Sequence, residues 1–175
     1  MSKQQVIIIE GIDMVGKTSI IRELSKTLNI PAYKEIREEK WYDHNIDLLY
    51  AEEARIQMLE QIGFSIIFDR SYPSEWAYAH AYERKTIPER ILELDKRYAT
   101  LGTKIIYLYK SPEYFQQDKT NLIDFSKYSR IDERYREFLL FKTKCDYMFL
   151  DTSDQNIHSQ VESICDFLNI IKEEE

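Results

Sequence analysis

Apolar runs and helical stripes alternate along this chain. Val6–Ile9 is a continuous apolar run of the kind a strand buried on both faces needs. Ser65–Asp69 (SIIFD), Ile105–Tyr109 (IIYLY) and Tyr147–Leu150 (YMFL) have the same character, and Ala32–Ile36, after Pro31, is a weaker fifth strand. Between the runs lie helical spacings: Ile20, Ile21, Leu24 and Leu28; Leu48, Ala51, Met58, Leu59 and Ile62; Ile91, Leu92, Leu94 and Tyr98. Ile131, Tyr135 and Phe138 mark a helix from Tyr128, and Ile157, Val161, Ile164 and Leu168 mark the last one. Strands alternating with helices predict βαβ units, hence an α/β fold with a five-stranded, mainly parallel sheet covered on both faces.

The first strand and helix are joined by Gly11-Ile12-Asp13-Met14-Val15-Gly16-Lys17-Thr18, which fits G-x-x-x-x-G-K-[ST], the phosphate-loop (Walker A) signature. In such a loop the glycines let backbone N–H groups turn onto phosphates. Lys17 supplies a point charge and the Thr18 hydroxyl is a magnesium ligand. The following helix begins where its dipole favours anions. Gly11, Asp13, Met14, Val15, Gly16, Lys17, Thr18 and Ser19 are therefore expected to hold the phosphates of a nucleoside triphosphate. With a buried strand before it and an amphipathic helix after it, the motif marks a nucleotide-binding fold of P-loop type.

Composition narrows the picture without changing it. A length of 175 residues suits one domain, here 1–175, and 43% hydrophobic with 31% charged residues is ordinary for a globular protein. A net charge of −7 argues against a general nucleic-acid binder. Cys145 and Cys165 lack CxxC spacing and read as buried thiols of a reducing compartment; His44, His80 and His158 form no ligand cluster. No apolar run is long enough for a membrane span, and the cytoplasm is the expected location.

Five further stretches carry candidate chemistry. Asp69-Arg70-Ser71 follows the third strand, at the sheet end where open α/β folds bind ligands. Asp69 could hold magnesium and Arg70 could fork onto a phosphate; alternatively the two form a pair capping the helix near Ser74. Arg55 falls within an apolar stripe, where it either has a carboxylate partner or snorkels, or else reaches into an anion pocket. Ser111–Lys127 lacks periodicity and is long for a connection, as lids and disordered loops are. Just beyond it, Arg130 and Arg134 share a helix flank, either as surface charges or as the lid's phosphate clamp. Asp151-Thr152-Ser153-Asp154 could close over a base or cap the final helix.

On these residues the chain resembles the thymidylate kinase and deoxynucleoside kinase superfamily of P-loop kinases, particularly its short phage-type members. The marks are Ile9-Glu10-Gly11-Ile12-Asp13 leading into Gly16-Lys17-Thr18, Leu48-Leu49-Tyr50-Ala51 with Arg55, Phe68-Asp69-Arg70-Ser71, and Asp151-Thr152-Ser153. The resemblance implies magnesium-dependent transfer of the ATP γ-phosphate to a deoxynucleoside monophosphate of the dTMP type. Lys17, Asp69, Arg70 and Arg130 would be catalytic, with Thr18 and Asp69 on magnesium. Asp13, Arg55 and Arg70 would bind the acceptor, Asp13 facing its 3′-hydroxyl. Met14 stands where well-known thymidylate kinases have arginine or glycine. The candidate lid holds no arginine, so the charge that one would bring comes from Arg130, Arg134 or Arg136 or is missing. After the second strand stands Tyr33-Lys34-Glu35-Ile36-Arg37 instead of the family's arginine-glutamate-proline. Glu35 and Trp41 resemble the corresponding residues of nucleoside kinases, in which Glu35 would be the general base for a hydroxyl acceptor. The partners implied are ATP and a deoxynucleotide or deoxynucleoside, with homodimers typical of the family. A nucleotide sensor without catalysis is the alternative of another class.

Overall fold

The computed structural model describes residues 4–34, 45–114, 125–154 and 156–169. Its strands are β1 (Val6–Gly11), β2 (Ala32–Lys34), β3 (Ile66–Asp69), β4 (Lys104–Tyr109) and β5 (Asp146–Asp151). The helices are α1 (Lys17–Leu28), α2 (Asn45–Ile62), α3 (Tyr72–Ala81), α4 (Pro88–Thr100), α5 (Phe125–Phe141) and α6 (Ile157–Phe167). The sheet order is β2-β3-β1-β4-β5 and every pairing is parallel. β1 is central and buried at all its positions, as its unbroken apolar run requires. α1 packs with α6 on one side; α3 packs with α4 and α5, and α2 with α4, on the other. Consecutive strands β1 and β2 are separated in the sheet by β3, so the chain reverses direction beside β1, where the phosphate loop emerges.

α2 corrects the apolar stripe expected for it. Its buried residues are Leu48, Leu49, Glu52, Ile56 and Leu59, whereas Met58 and Ile62 are 43% and 67% exposed. The helix is turned so that a carboxylate faces the core, which puts the apolar pattern out of phase. A second correction concerns α6. Its N-cap is Asn156, whose side chain accepts from the Ser159 N–H at 3.1 Å, and not a residue of 151–154. The helix expected from Tyr128 begins three residues earlier, at Phe125. Within the candidate lid, Pro112–Tyr114 is a short 3₁₀ turn, and 115–124 lie outside the described residues.

Beneath α3 the core is aromatic: Tyr72 stacks on Tyr98 with ring centroids 5.0 Å apart and meets Phe138 edge-on at 6.0 Å. The Tyr72 hydroxyl is satisfied by Asp95, a buried carboxylate that also accepts from the Thr143 hydroxyl and the Lys144 N–H. Neither Cys145 nor Cys165 is in a disulfide, and burial pushes the Cys145 thiol up to about 12, so it is inert as a nucleophile at neutral pH. Asp95→Ala would strand the buried Tyr72 hydroxyl of α3 and two half-exposed donors of the turn before β5, and would leave a cavity in the core. We expect it to lower stability by about 3–5 kcal/mol, read from the urea midpoint at unchanged m-value.

Candidate active site

The site is built at the C-terminal ends of β1 and β3. β1 stops at Gly11, whose φ of 142° is open to glycine alone; a Cβ there would sit 2.5 Å from the Leu108 carbonyl oxygen. Met14 and Gly16 also have positive φ, 71° and 88°. Left-handed turns of this kind direct successive N–H groups to one side and make an anion-binding concavity. Nothing lies within 4 Å of the position a Gly16 Cβ would take, and no side chain caps the N-terminus of α1. The helix start is thus open to a phosphate, with Thr18 exposed beside it.

Lys17 is buried, and its ammonium group donates to the carbonyls of Gly11 at 2.9 Å and Ile12 at 2.7 Å. Burial, with Arg70 adding repulsion, lowers it to about 7, although Asp13, Asp69 and Glu10 pull the other way. Thr152, after β5, braces the loop from behind, its hydroxyl lying 2.8 Å from the Val15 carbonyl oxygen and 3.1 Å from that of Tyr109. In the sequence Thr152 was only part of a turn that could close over a base; its contact with the loop was not legible there.

Arg70 leaves β3 with φ of 72°, its N–H donating to the Ile9 carbonyl at 3.0 Å. Its guanidinium reaches Asp13 of the phosphate loop at 2.6 Å and lies over the Tyr78 ring. Asp69 turns elsewhere, to Lys34 at the end of β2, at 3.2 Å. The expected alternative of an Asp69–Arg70 pair capping α3 is therefore not what forms: Ser71 is the N-cap and no side chain caps the helix. Arg55 has the carboxylate partner foreseen as one reading, Glu52 at 2.6 Å on its own helix, and its guanidinium lies 5.0 Å from the Tyr33 ring centroid and 5.3 Å from that of Phe68.

The arginines of α5 have partners away from the phosphate loop: Arg130 with Glu83, Arg134 with Glu137, Arg136 with Asp132. Glu35 and Trp41 lie outside the described residues. Two carboxylates that sequence reasoning left without a role are central. Glu10, fully buried, accepts from the Ser71 N–H, the Ser74 hydroxyl and the Tyr135 hydroxyl, and burial raises its pKa above the usual carboxylate value. Glu52 accepts from the hydroxyls of Ser71 and Tyr98. A glutamate inside an otherwise apolar strand run and a charged pair inside an apolar helix stripe were the available signals.

The donors here fit a magnesium–triphosphate. Among the described residues no three His, Cys, Asp or Glu side chains could cage a metal. Magnesium in a phosphate loop asks instead for a hydroxyl, a carboxylate and substrate oxygens, which Thr18 and Asp69 can complete.

These elements define the P-loop fold of nucleotide kinases. The chain belongs to the AAA domain family, whose sequence model matches residues 6–156. No curated protein matches its sequence significantly. Similar solved structures include the YorR protein of Bacillus subtilis in complex with phosphorylated GDP, 22% identical, with a TM-score of 0.74 over 94% of this chain and 96% of that one. Deoxyadenosine kinase of M. mycoides, with dCMP and dCDP bound, is 22% identical with a TM-score of 0.60 over 97% of this chain and all of its own. Thymidylate kinase of Candida albicans is 17% identical with a TM-score of 0.65 over 97% and 93%. Among the described residues no helix is long and apolar enough to cross a membrane.

Lys17 gives the site a proton signature. At pH 8, above its value of about 7, the free protein holds it largely neutral, and a bound polyphosphate favours its charged form. ATP binding at that pH should take up a large fraction of one proton, and affinity should fall as pH rises from about 7 to 9. Calorimetry in buffers of different ionisation enthalpy measures the uptake; Lys17→Met should abolish it.

Proposed function

We propose that this protein is a magnesium-dependent nucleotide kinase that transfers the γ-phosphate of ATP to a deoxynucleoside monophosphate of the dTMP type. The observation that carries the reading is the meeting of Arg70 with Asp13 across 2.6 Å, which sets a guanidinium against the phosphate loop. An arginine in the left-handed region, held over the mouth of an anion cradle, suits a second phosphate beside the first. The names and bound nucleotides of the structural neighbours support the same class.

In this reading the loop N–H groups and Lys17 hold the donor phosphates, while Thr18 and Asp69 hold magnesium. Magnesium, when bound, neutralises charge on the phosphate oxygens. Arg70 and Arg55 take the acceptor phosphate. Asp13 orients Arg70 and faces the acceptor sugar. An acceptor oxygen attacks the γ-phosphorus, the bond to the β-phosphate oxygen breaks, and ADP leaves. A monophosphate oxygen is already anionic, so positioning and neutralisation suffice without a strong base. For Arg130 to act at the transferring group it must leave Glu83, an exposed pair worth little and easily exchanged for a phosphate.

ATP consumption with magnesium, measured against the four deoxynucleosides and their monophosphates, tests the proposal. Turnover with monophosphates, dTMP foremost, is expected. Turnover with nucleosides alone would replace it with a nucleoside kinase, and silence across the panel would favour a nucleotide sensor. Lys17→Ala should cost about 10²–10³-fold in kcat. Arg70→Ala should raise the acceptor KM by about 10-fold or more, leaving that for ATP nearly unchanged.

A further inference from the structure

Ser71 is held from two sides by buried carboxylates. Its N–H donates to Glu10 Oε1 and its hydroxyl to Glu52 Oε2, both at 2.9 Å. The other oxygen of Glu52 pairs with Arg55 at 2.6 Å. Ser71 directly follows Arg70, whose φ of 72° is unfavourable for a residue with a Cβ. Such a conformation persists where the surroundings over-determine it. Here they do: the Arg70 N–H is tied to Ile9, and the next residue is fixed by Glu10 and Glu52.

One carboxylate thus reaches both arginines of the acceptor side, Arg55 by an ion pair and Arg70 through Ser71. Packing alone does not call for it. A buried ion pair is often replaced by apolar residues without loss of stability, whereas fixing guanidinium groups in place needs a charged partner. Tyr98 donates to the same Glu52 oxygen as Ser71, so the carboxylate is held by the core as well as by its own helix.

We propose that Glu52 is a positioning residue for both arginines, setting Arg55 directly and Arg70 through Ser71, so that an acceptor phosphate meets a preformed pair. The identity of that ligand rests on the kinase reading; the coupling between the side chains does not.

The test follows the arginine Nε–H signals of the full-length protein by ¹⁵N NMR, assigned with Arg55→Lys and Arg70→Lys. In Glu52→Gln both signals should shift or lose protection from exchange. In Ser71→Ala, which leaves both carboxylates in place, Arg70 alone should change. Kinetically, Glu52→Gln should raise the acceptor KM by about 10-fold with that for ATP within about twofold. An Arg70 signal unmoved in both variants overturns the proposal, as do KM values for ATP and acceptor that rise together. Should Glu52→Gln fail to fold, the Arg70 signal in Ser71→Ala decides. A wild-type protein silent with every deoxynucleotide would remove the kinase reading, and the NMR arm would still decide the coupling.

Discussion

A carboxylate with no exposure to water stands one residue before the phosphate loop, and much of the site depends on it. Burying the Glu10 charge is tolerable only because the Ser71 N–H, the Ser74 hydroxyl and the Tyr135 hydroxyl all converge on it. Those donors come from the N-terminus of α3, where Ser71 is the cap and Ser74 lies in the first turn, and from α5. Satisfying one glutamate therefore fixes where two separate helices meet the end of β1. The phosphate loop then starts from a rigid end, and Arg70 is presented beside it by the same bonds.

A second constraint works on the loop itself. Gly11 lies so close to Leu108 that no side chain fits, and Thr152 links the loop to β4 by bonding both Val15 and Tyr109. The backbone is thereby shaped for anions before any arrives, which is the arrangement electrostatic stabilisation requires. Lys17 waits on loop carbonyls, with its charge made costly by burial. Phosphate relieves that cost, so the lysine gains most where a polyphosphate is bound.

Much of this architecture could be read from the chain. The apolar runs located β1, β3 and β4, because strands buried on both faces leave few polar positions; β5 is only half-buried and β2 is exposed, which is why β2 read as the weakest of the five, and the glycine–lysine signature located the loop. The same logic failed at α2, where Glu52 faces inward and Met58 and Ile62 face out; a pattern of hydrophobicity has no means to recognise a buried charge whose partners, Ser71 and Tyr98, are remote in sequence. Asp69 and Arg70 were legible as a charged pair at the C-terminal end of a strand but their partners were not: Lys34 and Asp13 reach them only through the strand order β2-β3-β1. Residues 151–154 read as either a base-covering turn or the cap of α6, and the cap is Asn156, just beyond them, because Ser, Asp and Asn all suit that role and spacing alone does not choose among them.

The central claim is that two phosphate sites face each other across Asp13 and Arg70. Calorimetric affinity for an adenosine–thymidine dinucleotide joined 5′ to 5′ by five phosphates tests it most directly, because such a molecule occupies both sites at once. The account predicts binding about 100-fold tighter than that of ATP, with the advantage lost in Arg70→Ala. Equal affinity for the two ligands in the wild-type protein would contradict it.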